Sequence, residues 1–165
     1  EGTTTPKSLR RRLKLLATGD NAYEHTYKDS MDRIERQSQD QIQLAKGALC
    51  WVTFAYTQLS TFELQHALAV EPDLDYLDKD NIASVEDIVA ATGGLIALDE
   101  TSRIIRLVHF TLQEYLKNNR ESLFKNRHNY MYKTCAIHLA FECFSEQVCN
   151  STEQFKEQLT LYPLY

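Results

Sequence analysis

This 165-residue chain has few of the parts that chemistry on a carbonyl or a phosphate requires. Its five glycines (Gly2, Gly19, Gly47, Gly93 and Gly94) are too scattered to cradle a phosphate, and no GxxxxGK stretch followed by Ser or Thr occurs. No GxSxG turn is present to expose a serine nucleophile. The four cysteines, Cys50, Cys135, Cys143 and Cys149, make no CxxC pair and no zinc-spaced set with histidine. Cys50, Cys135 and Cys143 lie in apolar runs, where a thiolate is costly. They read as buried free thiols of a reducing compartment, the cytoplasm. The acid-rich stretch after Glu71 lacks the spacing and the glycine of a calcium loop. No apolar run approaches the roughly 18 residues of a membrane span, and no secretory signal opens the chain. We therefore expect a cytoplasmic protein with no catalytic residues, no metal site and no cofactor held by this chain alone.

What is present suits one domain, or one small domain with helical flanks. Hydrophobic residues make up 43% of the chain, enough for a buried core. The first residue is Glu1 rather than Met, and the last five (Leu161 to Tyr165) are mostly apolar or aromatic. Both ends read as cuts, so we expect an internal segment of a longer polypeptide.

Periodicity predicts the elements. Lys7, Arg10, Arg11, Arg12 and Lys14 interleave with Leu9, Leu13 and Leu16 at helical spacing. That basic cluster suits a solvated helix face, or contact with phosphate. A helix over 23–37 turns Tyr27, Met31 and Ile34 inward. The stretch 41–56 is apolar on more than one side, as a central helix is. Ser60 and Glu63 make a capping box ahead of a helix over 61–69, with Phe62, Leu64, Leu68 and Val70 offered to the core. Ser84, with Asp87 three residues on, caps a helix over 85–92 that Gly93-Gly94 stops.

Next come two short runs, Gly93 to Leu98 and Ile104 to Val108, which read as antiparallel strands around a turn at Asp99–Arg103. A helix over 111–116 follows, then a break at Asn118-Asn119-Arg120. A long helix over 126–144 should turn Tyr130, Cys135, Ile137, Leu139, Ala140 and Phe144 inward, and 152–161 reads as one more. Three helices, a hairpin and a helix make a mainly α winged helix, here with flanking helices.

In a winged helix that reads DNA, the third core helix enters the major groove. Here that helix, 85–92, has no Lys or Arg. The net charge of the chain is −5, and from Glu71 to Glu100 nine acids stand against one base, Lys79. A duplex would be repelled by such a surface, while a basic protein partner would be drawn to it.

Four runs, 27–36, Leu64 to Val70 (LQHALAV), Asp87 to Ile96 (DIVAATGGLI) and Leu107 to Leu116 (LVHFTLQEYL), occur in an order and spacing that carry a resemblance. The chain resembles the winged-helix segment of fungal proteins that join a NACHT-type NTPase to ankyrin or other repeats. That segment carries the label of the GPI inositol-deacylase winged-helix domain. The likeness covers about Tyr23 to Phe144. It implies a regulatory, non-catalytic module of an NLR-like signalling NTPase. Its partners would be the NTPase domain on one side and repeats on the other, with ADP or ATP bound in the parent protein.

On this view 1–40 is a basic tail and helical linker from the NTPase, 41–120 is the winged helix, and 121–165 is a helical extension toward the repeats. In relatives a histidine within a Met-His-Asp motif contacts the β-phosphate of ADP. Val108-His109-Phe110 occupies the matching place, so the resemblance implies His109 as that contact. Phe110 departs from the motif's acid. From the residues alone, His109 is equally a core histidine bonded to a backbone carbonyl. His66 and His138 are expected to pack on helices, and His25 and His128 to be exposed.

Overall fold

The computed structural model describes residues 19–141, 151–154 and 156. The basic cluster at 7–14, Cys143, Phe144 and Cys149 lie outside them. Residues 152–154 and 156 are helical, and the remainder of the helix expected over 152–161 also lies outside.

Helix α1 spans Gly19–Ile34 and α2 spans Gln39–Phe54. The break between them spans 35–38, and Ser38 caps α2 by accepting from Gln41 N. Helix α2 is the centre of the molecule. Ala45, Ala48, Leu49, Cys50 and Trp51 are all buried on it, and it touches α1 and four of the elements that follow. Met31 and Ile34 of α1 belong to the same apolar cluster as Leu116 and Phe124, so α1 is part of the core.

Helix α3 spans Thr61–Ala69. Its capping box is complete: the Ser60 backbone N–H donates to Glu63 Oε2 (2.7 Å), and Glu63 N donates to Ser60 Oγ (3.2 Å). A 3-10 turn at Lys79–Asn81 interrupts the acidic loop, and α4 spans Val85–Ala91 behind Ser84. There the Ser84 hydroxyl donates to a carboxylate oxygen of Asp87 (2.6 Å). Gly93 and Gly94 then turn the chain with φ of +61° and +80°, which side chains with a Cβ rarely adopt.

Strands β1 (Ile96–Asp99) and β2 (Ile104–Leu107) form the antiparallel wing, with Ile96 opposite Leu107 and Asp99 opposite Ile104. A connection of the core reaches the far edge of β2. Ile105 N donates to Leu59 O (3.0 Å) and Thr61 N donates to Arg103 O (2.9 Å). Ile96 and Ile105, one on each strand, are 1% and 2% exposed, so the hairpin packs into the core.

Helices α5 (Phe110–Asn118), α6 (Arg120–Leu123) and α7 (Arg127–Leu139) complete the described chain. The order observed is the winged helix expected. Two side-chain placements differ. Phe62 is exposed, because Thr61, Leu64 and His66 supply the buried side of α3. On α7 the buried positions are Thr134 and His138, with Phe141 just beyond, while Leu139 and Ala140 face outward. The spacing of four and three defines that face, and hydrophobicity alone chose the wrong one.

Ser60 caps α3 with its hydroxyl, while the backbone on either side of it bridges to β2 at Ile104. Ser60→Ala should destabilise the fold by about 1 kcal/mol. A lower urea midpoint with an unchanged denaturant slope is the expected result.

Candidate functional site

The junction of wing and helix is built by the end of β2. Val108 N donates to Leu95 O (3.1 Å), which closes the ladder one residue past the strand. His109 then turns the chain with extended φ and ψ (−152°, 148°) and becomes the N-cap of α5. Its Nδ1 accepts from Thr111 N (3.2 Å) and lies 2.8 Å from Thr111 Oγ1. An imidazole nitrogen that accepts a backbone N–H carries no proton of its own. The neutral ring therefore holds its hydrogen on Nε2.

His109 is exposed, which overturns the expectation of a core histidine bonded to a carbonyl. It is fixed all the same. Phe110 lies against it with ring centroids 4.6 Å apart, and Thr111 Oγ1 is 2.8 Å from the hydroxyl of Tyr27 on α1. Val108 and Phe110 on either side are 49% and 68% exposed. An imidazole N–H is thus presented between two apolar side chains, and that arrangement suits a surface another polypeptide covers. Neither Tyr27 nor Thr111 was singled out as part of this site from the sequence. The only signal was a threonine two residues after the histidine, where an N-cap side chain finds its partner.

On α4, Ile88 and Ala91 point into the core, and the exposed positions include Glu86 and Asp87. No cation on that helix could meet a phosphate. Asp99, in the wing turn, accepts from the backbone of Ser102 and Thr101 and pairs with Arg106 (3.0 Å). These contacts, the Ser102 backbone bond first, hold its carboxyl below the usual range.

Cys50 lines a cleft of about 920 Å³ between α2, the acidic loop and the start of α7. Burial pushes its thiol up to about 11, against a smaller opposing effect of Arg127, so it is no ready nucleophile. Cys135 is half-buried, and burial raises its thiol as well. Among the described residues no three His, Cys, Asp or Glu side chains gather as a metal site would need, and no helix is long and apolar enough to cross a membrane.

His25 and His128 are exposed, while His66 and His138 are buried, as expected. A family model described as GPI inositol-deacylase, winged helix domain, matches residues 31–127. The chain belongs to that family. No curated protein and no solved structure matches it. The match begins inside α1 and ends at the first residue of α7. His109 sits near its C-terminal end, in the segment that joins wing to helix.

Two outcomes test this geometry. His109→Ala should cost about 1 kcal/mol, because it removes the cap of α5, whereas His109→Asn should cost only a few tenths, since asparagine caps well. Thermal melts of the two variants separate capping from any other role.

The second concerns His66, whose ring lies 3.8 Å from that of Phe62. Burial lowers the His66 pKa below the ordinary value, and repulsion from His138 adds to this. The folded state therefore binds its proton less readily than the unfolded chain does. Stability is present above the ordinary histidine range and is lost as pH falls through it. Urea unfolding at about pH 7.5 and about pH 5.5 should show the loss, and His66→Gln should lessen it.

Proposed function

We propose that this winged helix is a non-catalytic regulatory module of a NACHT/NLR-like signalling NTPase of the cytoplasm. It packs on the nucleotide-binding domain and relays that domain's nucleotide state toward C-terminal repeats. One observation carries the reading. His109 is exposed, oriented by its cap bonds, and flanked by the uncovered side chains of Val108 and Phe110. An N–H at Nε2 can donate to a phosphate oxygen while Nδ1 keeps the cap. A phosphate bridged between two domains biases the closed arrangement over the open one. Phe110, in place of the acid of the related motif, offers contact area to the partner domain instead of charge.

The inositol-deacylase activity in the family's description is not carried over. The raised thiol of Cys50 and the cap role of His109 leave neither poised as a nucleophile or base. ADP or ATP would be held mainly by the NTPase domain, with His109 as this chain's contribution.

A second reading is favoured by the acids on the outer side of α4. Glu86 and Asp87 are exposed beside the acidic loop, and the surface suits docking of a basic protein partner. The same charges oppose a nucleic-acid duplex.

The decisive variant is His109→Asn, which keeps the cap and replaces the far Nε2–H of the ring by an amide too short to reach the same point. In the NTPase domain joined to this chain, loss of one such hydrogen bond should speed ADP release about tenfold. ADP retention identical to that of the parent protein would sink the sensor role.

A further inference from the structure

The charge of this chain is arranged in two opposed patches. Residues 71–100 have nine acids and one base, while 117–133 have five bases (Lys117, Arg120, Lys125, Arg127 and Lys133) and one acid, Glu121. The basic patch is concave. A cleft of about 600 Å³ on one flank of α7 is lined by Lys117, Arg120, Arg127 and His128 around Phe54 and Tyr132. Its walls are therefore aromatic and its rim cationic.

Three details mark the cleft as built for carboxylates. A single oxygen of Glu121, whose side chain is 82% exposed, sits 3.4 Å from Arg120 Nε and 3.3 Å from an Arg127 terminal nitrogen. Two guanidinium groups that line the cleft thus already converge on one carboxylate oxygen. Arg127 Nε is buried and has no hydrogen-bond partner among the described residues. Asn126, the N-cap of the 13-residue helix α7, makes no side-chain cap bond, so beyond the N–H that Arg127 gives to Phe124 O the first turn next to Arg127 keeps donors for an anion.

We propose that the chain associates head to tail with a second copy of itself. The acidic segment 73–78 (DLDYLD) of one copy seats in the cationic cleft of the next. That segment alternates carboxylates with apolar side chains, and its Tyr76 is 56% exposed. Asp73 and Asp75 are exposed and enter no ion pair among the described residues. The tyrosine suits the aromatic wall and the carboxylates suit the rim.

The segment does not serve its own cleft. Glu71 and Pro72, which lead into it, line the larger cavity, and no acid of 71–100 lines the cationic one. Association of this kind uses two different surfaces, so each added copy leaves one of each open.

The test uses the full chain in sedimentation velocity over a range of concentrations. At about 50 mM salt the mass should rise with concentration, and at about 500 mM it should return to that of the monomer. Lys117→Glu with Arg120→Glu, and separately Asp73→Lys with Asp75→Lys, should each give a monomer. An equimolar mixture of the two double variants should associate again, because each supplies the complement of the other's altered patch. All four positions are exposed, and unchanged circular dichroism and melting would show that the variants fold. A monomer at every concentration and salt overturns the proposal. So does association that survives Lys117→Glu with Arg120→Glu, or that is lost instead on neutralising Lys7, Arg10, Arg11, Arg12 and Lys14.

Discussion

The bridge between Ser60 and Ile104 is the contact on which the rest of the molecule depends. A two-stranded hairpin alone is marginal in water. Here the connection between α2 and α3 lends it a third edge, through Leu59 O and Thr61 N. Ile105 is thereby drawn beneath α2, and Ile96 follows from the opposite strand. The wing becomes a wall of the core with a set direction. The direction in which β2 ends decides where α5 begins, and so where His109 stands.

From that constraint the functional surface follows. The end of β2 leaves Val108 and Phe110 facing outward just where the ladder closes on Leu95. An N-cap must turn the chain there, and a histidine does so with one nitrogen while presenting the other. The same atom placement serves stability and recognition, which is why the two have to be separated by asparagine rather than alanine. Burial elsewhere keeps the other polar groups quiet. His66 stays neutral under its aromatic neighbour, and Cys50 stays protonated beneath α7.

Much of this was legible in the residues. Ser60 with Glu63, Ser84, and Gly93-Gly94 mark boundaries through local hydrogen bonding and backbone sterics, which need no tertiary context. The hairpin was legible for the same reason, since its turn at Asp99–Arg103 is local. What stayed hidden depends on partners distant in sequence. The bridge to Leu59 cannot be read from periodicity, nor can the link from Tyr27 to Thr111 across 84 residues. The cap role of His109 was hidden because Ser, Thr, Asp and Asn dominate that position. The inward side of α7 was misread because its buried positions are a threonine and a histidine, chosen by geometry over hydropathy.

Thr111 has a single hydroxyl hydrogen, and both of its oxygen's neighbours are 2.8 Å away. With Nδ1 of His109 unprotonated, that hydrogen can share the one lone pair of the imidazole with Thr111 N, and Tyr27 then donates to Thr111. The three groups form a relay of fixed polarity, from phenol to alcohol to ring, that starts on the first helix. A sideways slip of that helix would withdraw the phenol and leave the alcohol free to rotate away. The orientation of the outermost N–H is thereby tied mechanically to an element on the far side of the chain's sequence.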